Sequence, residues 1–325
     1  MELVVLDQKI NDELASRWPA EADLLDGICR YALMPTGKLL RPVLLVESAL
    51  AVGGRAEQVL PAAIGTEYGH TASLVHDDII DNDELRRGRE SVYHRFGVAN
   101  AIVAGDALIF HLFRCLAECR NAGVPAARVV TALEVAAQAG IDLCRGQCLE
   151  SEITENSLLD VDTYLRMIEL KSAALFRSSC QCGAILGGGD AESVAKLGQY
   201  GRELGIAFQI VDDLFAFTGD SETTGKKPVS DVRNRRLTLP VLLAHEKGDD
   251  ADRALLDEVF AGAVDAEEAL PAVTEVLVRT GALDAARSVA WEHATCAQEA
   301  LLELPESPSR DHLYSFATRA VDRVA

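Results

Sequence analysis

The string His76-Asp77-Asp78-Ile79-Ile80-Asp81 sets two carboxylates, Asp77 and Asp81, four residues apart. On a helix that spacing puts both on one face, where like charges repel unless a cation joins them. All-oxygen ligation with room for water suits Mg2+, and Mg2+ in turn points to phosphate. A second acidic pair, Asp212-Asp213, follows the mostly apolar run Phe208-Gln209-Ile210-Val211, and acids that abut a core need a partner. Both sets fall towards the C-terminal ends of predicted helices, where the helix dipole disfavours carboxylates unless something cationic is near. Cations do follow. Lys38 and Arg41 stand three apart on a predicted helix, Arg86-Arg87 come just after the first acidic set, and Lys226-Lys227 and Arg235-Arg236 follow the second. In a chain of net charge -20, such basic islands suggest two polyphosphate sites, one bridged by metal and one gripped directly by side chains.

The elements that must carry these residues are helical. Apolar residues recur at three and four rather than two, and Ala, Leu, Glu and Arg are abundant. Helices are predicted over 7–17, 20–33, 38–52, 56–83, 98–120, 125–150, 160–187, 191–218, 238–247, 251–261, 265–280, 283–303 and 307–324. Breaks fall at Pro35-Thr36-Gly37, Gly53-Gly54, Asn121-Ala122-Gly123, Gly187 to Gly189 and Gly219 to Pro228. No strand is predicted, so the expected fold is all-α: one domain over 1–325, with a motif-bearing core at about 35–245 and further helices over 246–325. An apolar share of 49% over 325 residues supplies a large core. The acidic balance, 51 Asp and Glu against 31 Lys and Arg, argues against nucleic acid as a partner. Eight cysteines with no leader-like start suggest a reduced, cytoplasmic setting. No apolar run reaches the roughly 18 residues of a membrane span, so no stable membrane insertion is expected. Cysteines at helical spacing, such as Cys115-Cys119 and Cys144-Cys148, read as core rather than as a soft-metal site.

Taken in order, the motifs resemble the trans-isoprenyl diphosphate synthases, in particular the polyprenyl diphosphate synthase branch. The resemblance rests on Gly37-Lys38-Leu39-Leu40-Arg41-Pro42, Glu67 to Asp81, Leu85-Arg86-Arg87-Gly88, Ala104-Gly105-Asp106, Gly146-Gln147 and Lys171 to Phe176. It continues through Phe208 to Asp213, Gly225-Lys226 and Leu237-Thr238-Leu239-Pro240. It implies a bundle of long helices around a central cavity and a head-to-tail condensation of isopentenyl diphosphate with an allylic diphosphate, giving a trans-polyprenyl diphosphate. It also implies three Mg2+ ions, two on Asp77 and Asp81 and one on Asp212, with Asp78 and Asp213 supporting their waters. Arg86, Lys171, Ser172, Gln209 and Lys226 are then implied as ligands of the allylic substrate, with Lys171 also in the catalytic set. Lys38, Arg41, His70 and Arg87 are implied as the isopentenyl diphosphate grip, and a homodimer is implied with helices 98–120 and 125–150 on the paired surface.

The chain departs from that pattern at Ala216, where a third Asp is usual, at Thr36 and Leu39, and at Arg236 where a Lys is usual. Upstream of Asp77, the residues Ser73, Ala72, Gly69, Thr66 and Gly65 carry no aromatic plug. Ala72, Ser73 and Gly69 are therefore expected as an open chain-length wall, allowing products of about twenty carbons or longer. Ala216 keeps two other readings in view: a terpene cyclase or atypical prenyltransferase on the same fold, and a non-catalytic partner subunit. The intact isopentenyl diphosphate grip counts against the cyclase, and the complete first acidic motif counts against the partner subunit.

Overall fold

The computed structural model describes residues 3–18, 23–157, 159–218 and 230–322. The chain runs α1 (Leu3–Arg17), α2 (Leu24–Leu33), α3 (Leu40–Ala51), α4 (Ala56–Ile80), β1 (Leu85–Arg86), β2 (Arg89–Glu90), α5 (Val92–Phe96), α6 (Val98–Glu118) and α7 (Ala126–Asn156). It continues with α8 (Val161–Ile168), a π-helical turn (Glu169–Ala173), α9 (Ala174–Gly187), α10 (Ala191–Thr218), α11 (Ser230–Arg233) and α12 (Leu239–Lys247). The last elements are α13 (Asp250–Phe260), α14 (Ala266–Arg279), α15 (Ala282–Leu301) and α16 (Pro308–Val321). Helix starts are marked by capping carboxylates. Asp23 accepts from the Asp26 backbone at 2.9 Å, Asp160 accepts from the Thr163 backbone at 2.7 Å, and Asp249 with Asp252 forms a reciprocal capping box.

Three expectations are corrected here. A two-residue antiparallel ladder, Leu85 opposite Glu90 and Arg86 opposite Arg89, follows α4 where no strand is predicted, because runs this short carry no periodicity. The helix expected over 160–187 is interrupted by the π-helical turn. The helix expected from residue 38 begins at Leu40, so Lys38 lies before it; Leu39 precedes the first turn at φ 50°, a left-handed conformation rare for Leu.

The chain divides into two compact units. One comprises Met1–Gln138, Leu175–Gly201 and Ala300–Leu313; the other comprises Ala139–Ala174, Arg202–Glu299 and Tyr314–Ala325. Neither is a continuous stretch. In the first unit α4 packs along α6 and α3. Glycines allow the close approach: a Cβ at Gly65 would sit 3.0 Å from Cys115 Cβ, and one at Gly105 would overlap the His76 ring. In the second unit Tyr164, Met167, Ile168, Ile206, Ile210, Leu214, Leu239, Val259, Val273 and Leu277 belong to one buried cluster. Cys29, Cys115, Cys119, Cys180 and Cys182 are buried, and burial pushes their thiols up, to about 11 for Cys119 and about 12 for the others. Cys144, Cys148 and Cys296 are exposed. By length and mean hydropathy alone, at 21 residues and a peak of 1.4, α6 is long and apolar enough to cross a membrane, although Asn100, Asp106 and Arg114 interrupt it, so it is no continuous apolar run.

Candidate active site

In the first unit the predicted residues gather at the end of α4. Asp77 and Asp81 are both half-buried and one turn apart, the Asp81 amide bonding to the Asp77 carbonyl at 2.8 Å. Asp78 points the other way: it is 2% exposed and accepts Arg86 Nε at 2.8 Å, with a second contact from the same guanidinium. A buried carboxylate paired with Arg is a structural anchor, and it ties the hairpin that carries Arg86 and Arg87 to α4.

Arg87 adopts φ 53° and lies over Gly37, where an added Cβ would stand 2.6 Å from its guanidinium; its Nη1 donates to the Pro35 carbonyl at 3.3 Å. Arg41, on the first turn of α3, stacks over the buried ring of Phe176 at 4.3 Å. His70 lies within the field of both. Burial first, then Arg41, Arg87 and Arg86, holds its imidazole well below its ordinary value, so it is neutral at pH 7. Arg41, His70 and Arg87 thus share one cationic neighbourhood, and exposed Lys38 sits one residue from Gly37. Sequence reasoning missed the acid of this group. Glu67, one turn before His70 and 3% exposed, is pushed up by burial while Arg41 and Arg87 pull it back. The signal was its i, i+3 spacing to His70.

In the second unit Lys171 and Ser172 sit in the π-helical turn, a local irregularity frequent at functional sites. Gly146 on α7 permits this, since a Cβ there would overlap the Lys171 backbone. Lys171 pairs with Glu150, which also accepts Gln147 Nε2 at 3.1 Å and lies 3.9 Å from Arg236. Glu150 was likewise not singled out, although it stands four residues after Gly146 on the same helix face. Ser172 donates to Gln209 at 2.6 Å, Gln209 donates to Asp213 at 2.9 Å, and the Tyr164 hydroxyl donates to Asp213 at 2.6 Å. Asp213 is buried, and desolvation raises it to about 7. Asp212 is exposed. The two acidic pairs therefore behave alike: the first Asp faces outward and the second turns into the structure. They differ at the next turn, because Ala216 occupies the face on which α4 has its second outward acid. Lys226 lies outside the described residues.

The chain-length wall is only partly as expected. Gly65 is buried against Leu112 and Cys115 and serves helix packing, and Ala72 is 1% exposed; neither is an open wall residue. Gly69 is partly exposed under Leu112 Cδ2, and Ser73 is partly exposed with its hydroxyl bonded to the His70 carbonyl at 2.8 Å.

The donor set fits a hard divalent cation. Asp77, Asp81 and Asp212 offer only carboxylate oxygen, and among the described residues no three acidic, His or Cys side chains close into a ready-made cage. Mg2+ is commonly held in this way, by one or two carboxylates with waters and substrate phosphate completing the shell.

This predominantly helical fold is found in solved structures. Geranylgeranyl pyrophosphate synthetase from Pyrococcus horikoshii Ot3 superposes with a TM-score of 0.90 at 32% identity, covering 98% of this chain and 97% of that one. A polyprenyl synthase from Caulobacter crescentus CB15, complexed with calcium and isoprenyl diphosphate, gives 0.91 at 29% identity, covering 99% and 96%. Among curated relatives, geranylgeranyl diphosphate synthase from Methanosarcina mazei is 35% identical over 294 residues, which is 90% of this chain and 88% of that protein. The fold is thus the all-α isoprenoid synthase type. Residues 22–277 match the polyprenyl synthetase family model, and the chain belongs to that family. It is a prenyltransferase of the trans-isoprenyl diphosphate synthase kind, joining isopentenyl diphosphate head-to-tail to an allylic diphosphate.

Proposed function

We propose that the chain makes a trans-polyprenyl diphosphate of about twenty carbons or longer, using Mg2+, three ions per site, and working as a homodimer. The observation that carries the assignment of roles is on α4, where the outward pair Asp77 and Asp81 lies about two turns from neutral His70 in its cationic neighbourhood with Arg41 and Arg87. By resemblance, Asp77 and Asp81 of the first unit would hold two of the ions and Asp212 of the second unit the third, and the metal when bound offsets the negative charge growing on the departing diphosphate. Again by resemblance, Arg86 of the first unit and Lys171, Ser172, Gln209 and Lys226 bind and orient the allylic diphosphate. Lys38, Arg41 and Arg87 hold the second diphosphate, while His70, being neutral, contributes a hydrogen bond rather than charge. The allylic carbon–oxygen bond breaks with its electron pair leaving on diphosphate. The alkene of isopentenyl diphosphate then forms the new carbon–carbon bond, and the proton lost from the condensed cation passes to the released diphosphate.

Partly exposed Gly69 and Ser73, with no aromatic side chain at either, support the longer product. Incubation with Mg2+, isopentenyl diphosphate and geranyl, farnesyl or geranylgeranyl diphosphate, read by mass spectrometry, tests both parts. A ladder reaching the geranylgeranyl length or beyond is expected; a farnesyl end point would overturn the length assignment, and no elongation would overturn the condensation. Support for the homodimer comes from α6, which exposes Val98, Ile102, Val103 and Phe110, the last at 73%. Phe110→Glu should shift the sedimentation coefficient from dimer to monomer.

A further inference from the structure

Tyr164 is fully buried, and its hydroxyl donates to Asp213 Oδ2 at 2.6 Å while meeting the backbone of Leu239. The other oxygen of that carboxylate takes Gln209 Nε2 at 2.9 Å, and Gln209 Oε1 takes the Ser172 hydroxyl at 2.6 Å. These bonds run without a break from α8 through α10 to the π-helical turn, and donor chemistry fixes their direction. With the Ser172 hydroxyl given to Gln209 Oε1, the amide nitrogen must face Asp213 Oδ1, and the Tyr164 hydroxyl donates to the remaining oxygen, Oδ2. Low polarity around the chain strengthens each bond and makes an unmet partner costly.

We propose that Tyr164 is a positioning residue for the allylic half of the reaction: by holding Asp213 it fixes the Gln209 amide, hence the Ser172 hydroxyl, and keeps α10 rotated so that Asp212 faces outward. The inference rests on the roles given above to Ser172, Gln209 and Asp212. Ala216 sharpens it. In α4 the neighbouring acids Asp77 and Asp81 can share an ion between them, whereas on the corresponding face of α10 the residue one turn after Asp212 is Ala216, so the direction of Asp212 matters more. A Phe at 164 would fill the same space, and packing alone therefore does not call for a hydroxyl there.

Tyr164→Phe tests this, since it removes one oxygen and keeps the ring. Losing one buried hydrogen bond to a carboxyl group should raise KM for the allylic diphosphate roughly tenfold. The Mg2+ concentration for half-maximal rate should rise several-fold, and KM for isopentenyl diphosphate should stay within about twofold. Binding of an unreactive allylic thiodiphosphate in the presence of Mg2+, measured by calorimetry without turnover, should weaken by the same factor as the allylic KM. Asp213→Asn should give the same split, and the double variant should be no worse than Asp213→Asn alone. If Tyr164→Phe fails to fold, Tyr164→Met, which also removes the hydroxyl while filling the space with a flexible apolar side chain, decides the matter by the same calorimetry. Equal rises in both KM values, or a lower melting temperature with unchanged allylic binding, would overturn the proposal. A wild-type protein that condenses neither substrate would instead overturn the reading beneath it.

Discussion

At the scale of single residues, His70 offers the plainest pH test. Its imidazole titrates well below 6.5 in the folded chain because burial and three arginines disfavour the cation. Between those two values the unfolded chain binds a proton that the folded chain does not, so stability is full above about pH 6.5 and is lost as pH falls. One such group contributes up to about 1.4 kcal/mol per pH unit in that window. Urea denaturation of wild type and His70→Asn at about pH 7.5 and 5.5 should show a larger loss for wild type; equal losses would mean that His70 is not held neutral. The role of His70 came from resemblance, and its position two turns before Asp77 was legible in spacing, but its charge state was not, since that depends on Arg86 and Arg87 returning through a hairpin. Glu67 and Glu150 escaped for a related reason: each acts through partners distant in sequence, and a lone Glu on a helix looks like surface.

Among the elements, the long helices were legible because their apolar period runs for many turns; most observed ends lie within a few residues of expectation, although α7 runs six residues further, to Asn156. The irregular pieces were not. The β1–β2 hairpin is too short to show alternation, and the π-helical turn follows from a contact, the absence of a side chain at Gly146 beneath Lys171. That contact makes Gly146→Ala informative. The added methyl must displace the Lys171 backbone, at a cost of about 1–3 kcal/mol for overpacking. The expected result is a melting temperature lower by a few degrees together with weaker binding of the allylic substrate, because Lys171 and Ser172 share the turn. Normal allylic binding in a destabilised variant would separate the turn's shape from the site. Leu39 illustrates the opposite limit: the sequence shows only a departure from the usual Arg, whereas the structure gives a buried residue at φ 50° that turns the chain between Lys38 and Arg41.

For the whole molecule, the fold class was legible from composition and period, but the grouping of the chain into two discontinuous units was not, since it depends on which distant segments pack together. The charge of -20 was a useful guide because it made every basic cluster an exception to be explained. The cysteines carry a further consequence. With five thiols buried and pushed to about 11 or 12, and Cys144, Cys148 and Cys296 exposed, the native chain sorts its own sulfur into two kinetic classes. A thiol-reactive dye near neutral pH should label the exposed three within the mixing time or soon after, and the others only as fast as the helices around them open. Fast labelling of all eight in native buffer would show that the buried class is not protected. The slow phase would time the opening of the protein from inside, using a probe already built into its core.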